Sequence, residues 1–235
     1  MPGAMDTIKR VARAAMLSLL LGLTAQTDTA EPFGLATAAA PESPLAPTWR
    51  RLQSQIEAER PAIAQCRAEP QSCRSAPAAE FIAIVAEGAG YHGLARLGHI
   101  NRAANLAIRT LANGALDAVG AQWTSPLATL AAGAGNCKQF AVLKYAALED
   151  AGFAPDDLRI VILQERAQPE SHAVVAVRED GRWLILHNRS LALVESSELL
   201  GQYAPLYTLD HRGVRQFFEP PQVAQKFDDA CAGSG

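Results

Sequence analysis

In Ala131-Ala132-Gly133-Ala134-Gly135-Asn136-Cys137-Lys138-Gln139-Phe140, a glycine-flanked loop turns into a helix. Asn136 is a good N-cap, and the apolar positions after it (Phe140, Leu143, Ala147, Leu148) follow a helical period up to Gly152, a natural stop. Cys137 therefore opens the helix. Its sulfur lies beside free backbone amides and the positive end of the dipole, and Lys138 adds a cation. Both effects favour thiolate over thiol. The Gly-Ala-Gly run lets the backbone turn tightly and a substrate approach, and the Cys137 amide could face a developing oxyanion. A small buried hydrophobe is the alternative role for this cysteine.

Working outward, the period changes after Gly152. Leu158–Leu163 is an apolar, β-branched run. Ala173–Val177 and Trp183–Leu186 read as strands joined at Glu179-Asp180-Gly181, and a last hairpin is expected around Asp210-His211-Arg212-Gly213. Upstream, helices are expected from Trp49 with Thr48 as cap, over 77–87, over 97–111 with Asn101 and Asn105 one turn apart, and briefly after Pro126. Solvent exposure is the expected state of the two amides; tying their helix to a buried loop is the alternative. Helices first and antiparallel strands after give an α+β order.

A nucleophilic cysteine needs a base, and His172 is the best placed of the five histidines because it opens the strand Ser171-His172-Ala173-Val174-Val175. His92 and His99 fall on or near a helix and His211 in a turn. An orienting partner for His172 is sought in Leu186-His187-Asn188. The strand register decides whether His187 or Asn188 faces it. An amide oxygen accepts an imidazole N–H readily; a second histidine does so only as a neutral tautomer with a lone pair to spare.

Composition agrees with an ordinary globular enzyme-sized domain. The chain has 235 residues, 49% hydrophobic and 19% charged. A net charge of −3 and 6% aromatic residues argue against a nucleic-acid partner. Lys9, Arg10 and Arg13 precede an apolar run from Ala14 to Ala25, followed by small and polar residues. That pattern reads as a signal peptide over residues 1–30, and the run is short of the ~20 residues that span a bilayer. Ala25, Ala30 and the Ala36-Thr37-Ala38 match are candidate cut sites. The expected organisation is then a flexible lead-in over 31–48, one domain over 49–220 and a tail over 221–235. In an oxidising compartment, Cys66 and Cys73 are expected to bridge across the Pro70 loop. Cys231 reads as incidental, which leaves Cys137 unpaired.

Trp123-x-Ser125-Pro126, Gly133-x-Gly135-x-Cys137-x-x-Phe140-Ala141-x-x-Lys144-Tyr145 and His172-Ala173-Val174 resemble the bacterial transglutaminase-like cysteine proteinases, a group that includes periplasmic proteases releasing biofilm adhesins. The resemblance spans roughly residues 31–218. It implies a papain-like, transglutaminase-type fold, a Cys-His-Asp triad with the nucleophile at Cys137 and the base at His172, and a protein substrate, with a cell-surface protein as the model. The signal peptide itself implies an exported, periplasmic or secreted protein without a stable membrane anchor after its cleavage. The family's Asp does not carry over, because its Leu-Asp-Asn stands here as Leu186-His187-Asn188. Its calcium-binding acidic stretch around the nucleophile stands here as Asn136-Cys137-Lys138-Gln139, so no calcium dependence through that stretch and no other cofactor is expected. The leading expectation is a thiol peptidase. A weakened or inactive binding module and an amide acyl transferase remain alternatives.

Overall fold

The structure, a computed structural model, describes residues 31–111, 123–167 and 171–218. The signal segment, the tail and Cys231 lie outside the described residues. Five helices and a large antiparallel sheet give the α+β architecture expected. Helices α1 (Leu45–Ala68), α2 (Ala76–Ala86), α3 (Gly93–Ala107), α4 (Pro126–Ala132) and α5 (Cys137–Asp150) pack on one face of the sheet. Its seven strands run in the order β1 (Thr37–Ala39), β9 (Gly213–Phe217), β8 (Tyr203–Asp210), β4 (Leu158–Glu165), β5 (Ser171–Glu179), β6 (Arg182–Leu186) and β7 (Leu193–Glu195). Two short strands, β2 (Arg109–Thr110) and β3 (Ala134–Gly135), form a separate parallel pair. No described helix is long and apolar enough to cross a membrane.

Strands β4 and β5 are almost continuously apolar because both of their faces are covered. Ile160, Ile162, Ala173, Val175 and Val177 face the helices. Val161, Leu163, Val174 and Ala176 face a second cluster closed by Phe33, Trp183, Tyr203 and Phe217. Helix α5 lies between the sheet and the other helices, and every residue from Cys137 to Leu148 is buried.

Residues 31–48 differ from the expected lead-in. They carry a 3-10 turn (Pro32–Gly34), β1 and the first turn of α1, with Phe33 buried in the second cluster. Within Ala36-Thr37-Ala38, Thr37 and Ala38 pair with β9. Helix α1 opens at Leu45 instead of Trp49, since Ser43 Oγ accepts the Leu45 N–H at 3.3 Å. Helix α3 is shifted from the expected 97–111 to Gly93–Ala107. The tertiary partner overrides the periodicity there: Arg109 N–H donates to Gly133 O at 3.0 Å and Leu111 N–H to Gly135 O at 2.9 Å, drawing the chain into an extended brace. That brace fixes the glycine loop ahead of Cys137. The hairpin at Asp180-Gly181 has positive φ at both residues, 49° and 76°, as a two-residue primed turn requires.

Candidate active site

Helix α4 ends at Gly133, which takes φ +62° so that its N–H reaches the Thr129 and Leu130 carbonyls. Four residues later, at Cys137, the chain starts α5. A Cβ on Gly135 would lie 2.6 Å from Gln139 Cβ, so only glycine lets the loop pass. Gln139 is held there by the cap: its Oε1 accepts the Asn136 N–H at 2.9 Å, while Asn136 Oδ1 accepts the Lys138 N–H at 3.0 Å. This is a full capping box, and it satisfies amides that would otherwise be orphaned in the interior.

The Cys137 sulfur sits at this capped end, 2% exposed, and accepts the Ala173 N–H at 3.1 Å. Helix α5 and the start of β5 thus meet at the sulfur, one residue from His172. The sequence left Cys137 unpaired; in the structure it is disulfide-bonded. The expected Cys66–Cys73 bridge is present.

The His172 ring is 1% exposed and stacks on His187, with centroids 4.3 Å apart and planes at 24°. Neither ring nitrogen has a hydrogen-bond partner among the described residues. In this oxidised state the sulfur is therefore held by the backbone N–H of Ala173, not by the imidazole. Burial pushes His172 well below the usual histidine range, and the charges of His187, Arg189 and Lys144 add to that shift.

The register corrects both pairings considered for His172. The β5–β6 ladder ends with Val175 opposite Leu186, and extended further it brings Arg189, not His187 or Asn188, level with His172. His187 reaches the His172 ring as a diagonal neighbour on the same face. Burial, then the Arg189 and Lys144 charges, lowers His187 to about 4, so it is neutral at pH 7. Its Nδ1 accepts the Arg189 N–H at 3.0 Å. A neutral imidazole that accepts at Nδ1 carries its proton on Nε2, leaving no lone pair for a second imidazole. Asn188 Oδ1 is a buried acceptor with no partner among the described residues.

The Lys144 contact escaped the sequence reading, whereas Asn105 takes the alternative weighed for it. Lys144 Nζ and Asn105 Nδ2 both donate to the His187 carbonyl, at 2.9 and 3.1 Å. Asn101, fully buried, donates to Leu191 O at 3.5 Å. The amides thus tie α3 to the loop after β6, contrary to the expected exposure. A lysine among the apolar residues of α5 was the only local signal for the other donor. Trp123 packs against the core. His99 stacks on Tyr91, His92 precedes α3, and His211 occupies the β8–β9 turn, all away from this cluster.

The family model for bacterial transglutaminase-like cysteine proteinases matches residues 57–204. The chain belongs to this family. Two solved structures of Legionella pneumophila LapG share the fold. The calcium-bound one has a TM-score of 0.52 at 17% identity, covering 77% of this chain and 96% of its own. A second has a TM-score of 0.53 at 18% identity, covering 79% and 92%. No curated protein matches the chain by sequence. As a member of the family the protein is read as a cysteine peptidase.

Whether calcium fits here depends on the residues beside Cys137. The side-chain oxygens there, Asn136 Oδ1 and Gln139 Oε1, are engaged in the cap, and Lys138 contributes a cation. Hard cations take several oxygen ligands, usually carboxylates. Residues 136–139 do not fit that demand. Among the described residues no group of three or more His, Cys, Asp or Glu is arranged to hold a metal.

Proposed function

We propose that this protein is an exported thiol peptidase in which Cys137 is the nucleophile and His172 the general base and acid, with the His187-Asn188 turn orienting His172. The observation that carries the reading is the sulfur at the capped start of α5, bonded to the N–H next to His172. A disulfide sulfur is not a nucleophile, so the reaction belongs to the reduced chain.

In that form, His172 takes the Cys137 proton and the thiolate attacks the peptide carbonyl carbon. The Cys137 N–H, at the positive end of α5, faces the oxyanion. Collapse breaks the C–N bond, and the imidazolium gives its proton to the leaving amine. Water, deprotonated by His172, then attacks the thioester and restores the thiol. Of the two candidates for orienting His172, His187 shares its face but has its acceptor nitrogen occupied, while Asn188 carries a buried acceptor, Oδ1, one residue further along the turn.

No step runs through calcium, since residues 136–139 do not suit it. The substrate is a protein, with a cell-envelope or surface protein as the class suggested by the family resemblance. Export is supported by the reading of residues 1–30 and by the Cys66–Cys73 bridge, which an oxidising compartment permits.

The test is iodoacetamide labelling of the reduced full-length chain at neutral pH, followed by mass spectrometry, beside a casein-cleavage assay. Cys137 labels much faster than Cys231, His172→Ala removes the difference, and Cys137→Ala removes cleavage. Labelling of Cys137 at the slow rate of an ordinary thiol would overturn the peptidase reading in favour of a binding module. Millimolar calcium leaves both readouts unchanged. A calcium-dependent rise in melting temperature that is lost on changing residues 136–139 would overturn the calcium statement.

A further inference from the structure

The His187 carbonyl receives two side-chain donors from two different helices. Lys144, two turns along the same helix as Cys137, donates through Nζ at 2.9 Å. Asn105, near the end of α3, donates through Nδ2 at 3.1 Å. Lys144 is 1% exposed, a position where an amine is costly unless its bonding is satisfied. Both bonds converge on one backbone oxygen just past the end of β6, where the ladder has already stopped. The sheet therefore no longer fixes the chain at His187-Asn188. A third bond, from Asn101 to Leu191 O at 3.5 Å, pins the same loop further on.

We infer that Lys144 and Asn105 are positioning residues: by clamping the His187 carbonyl they hold the His187-Asn188 turn against the His172 end of β5, in register with the helix that carries the nucleophile. The role rests on the Cys137–His172 reading above. It explains why a lysine occupies the interior of α5 and why α3 carries an amide at that position. The charged and titratable groups around His172 are His187 and Arg189 from the turn, Lys144 and Cys137 from α5, and Tyr203 from β8, its ring centroid 6.4 Å away. Loss of the clamp changes the surroundings of the imidazole without removing any group that would touch a substrate.

The experiment uses the reduced full-length chain and iodoacetamide as the probe of Cys137, with histidine-ring NMR titration as a second readout. Asn105→Leu and Lys144→Met each slow Cys137 alkylation at pH 7 by between about tenfold and a hundredfold, the range expected for a displaced reacting group. Each also shifts the His172 titration, and the double variant loses less than the product of the two. Should Lys144→Met not fold, Asn105→Leu carries the test alone. Variants with a lower melting temperature but an unchanged alkylation rate and His172 titration would reduce the clamp to a structural role and overturn the inference. An alkylation rate unchanged in His172→Ala would instead overturn the underlying thiol–imidazole reading, and is distinguished by that variant alone.

Discussion

At the residue scale, two stacked imidazoles carry a pH dependence with a definite sign. His187 is lowered to about 4 by burial and by nearby cations, and His172 is lowered in the same direction. In the unfolded chain both would titrate near 6.5. As pH falls below that value the unfolded state takes up protons that the native state refuses, so the stability present above pH 6.5 is lost down to the folded value near 4. For His187 the loss is on the order of 2–3 kcal/mol. Denaturant melts between pH 7 and pH 4.5 should show a steep fall that is shallower in His187→Gln; an equal slope in both would rule out this source. The identity of the two histidines was readable in the sequence. Their stacking was not, because it depends on a register three residues beyond the last ladder pair.

At the element scale, the start of α5 is over-determined. The glycine loop is braced by β2, the cap is closed by Asn136 and Gln139, and Gly135 leaves room for both. Gly135→Ala places a methyl against Gln139 and should destabilise by about 1–3 kcal/mol, as overpacking does. Asn136→Ala should lose about 1 kcal/mol by removing the cap. Both are read from chemical denaturation, and both should slow Cys137 alkylation in the reduced chain; a stability loss with unaltered reactivity would separate the cap from the thiol. The cap, the glycines and the Gly152 stop are local features, so the helix and its first residue were legible. The brace was not. Arg109 and Thr110 continue a helical pattern in sequence and turn extended only because a distant pair of glycines offers backbone partners.

At the scale of the whole molecule, the N-terminal segment is fastened to the sheet by buried ions. Arg159 is paired with Glu31 at 2.8 Å and with fully buried Asp210 at 3.2 Å, and Trp49 Nε1 donates to the Asp210 carbonyl at 2.8 Å. Arg159→Met leaves Asp210 with only Arg212 for company and should cost about 3 kcal/mol, near the lower end for a broken buried pair. Limited proteolysis should then cut near residue 31 faster than in the parent; an unchanged rate would show that the segment is held by Phe33 alone. Removing the Cys66–Cys73 bridge by a double Ser substitution should lower stability by about 2 kcal/mol, since a short loop restricts the unfolded chain only modestly.

Whatever depends on neighbours along the chain is legible in the amino-acid order. That order specified the capped, glycine-flanked start of α5, the helices-then-strands order, the hairpin turns, the Cys66–Cys73 loop and the histidine that opens β5. These follow from dihedral preferences, capping and periodicity, which act over a few residues. Contacts across the fold set which face each strand end presents, that Cys137 is disulfide-bonded, and that α3 and α5 share one carbonyl as anchor. Those outcomes are set by contacts between segments as much as 82 residues apart. A strand shifted by a single residue reverses its facing side chains, and nothing local fixes that choice.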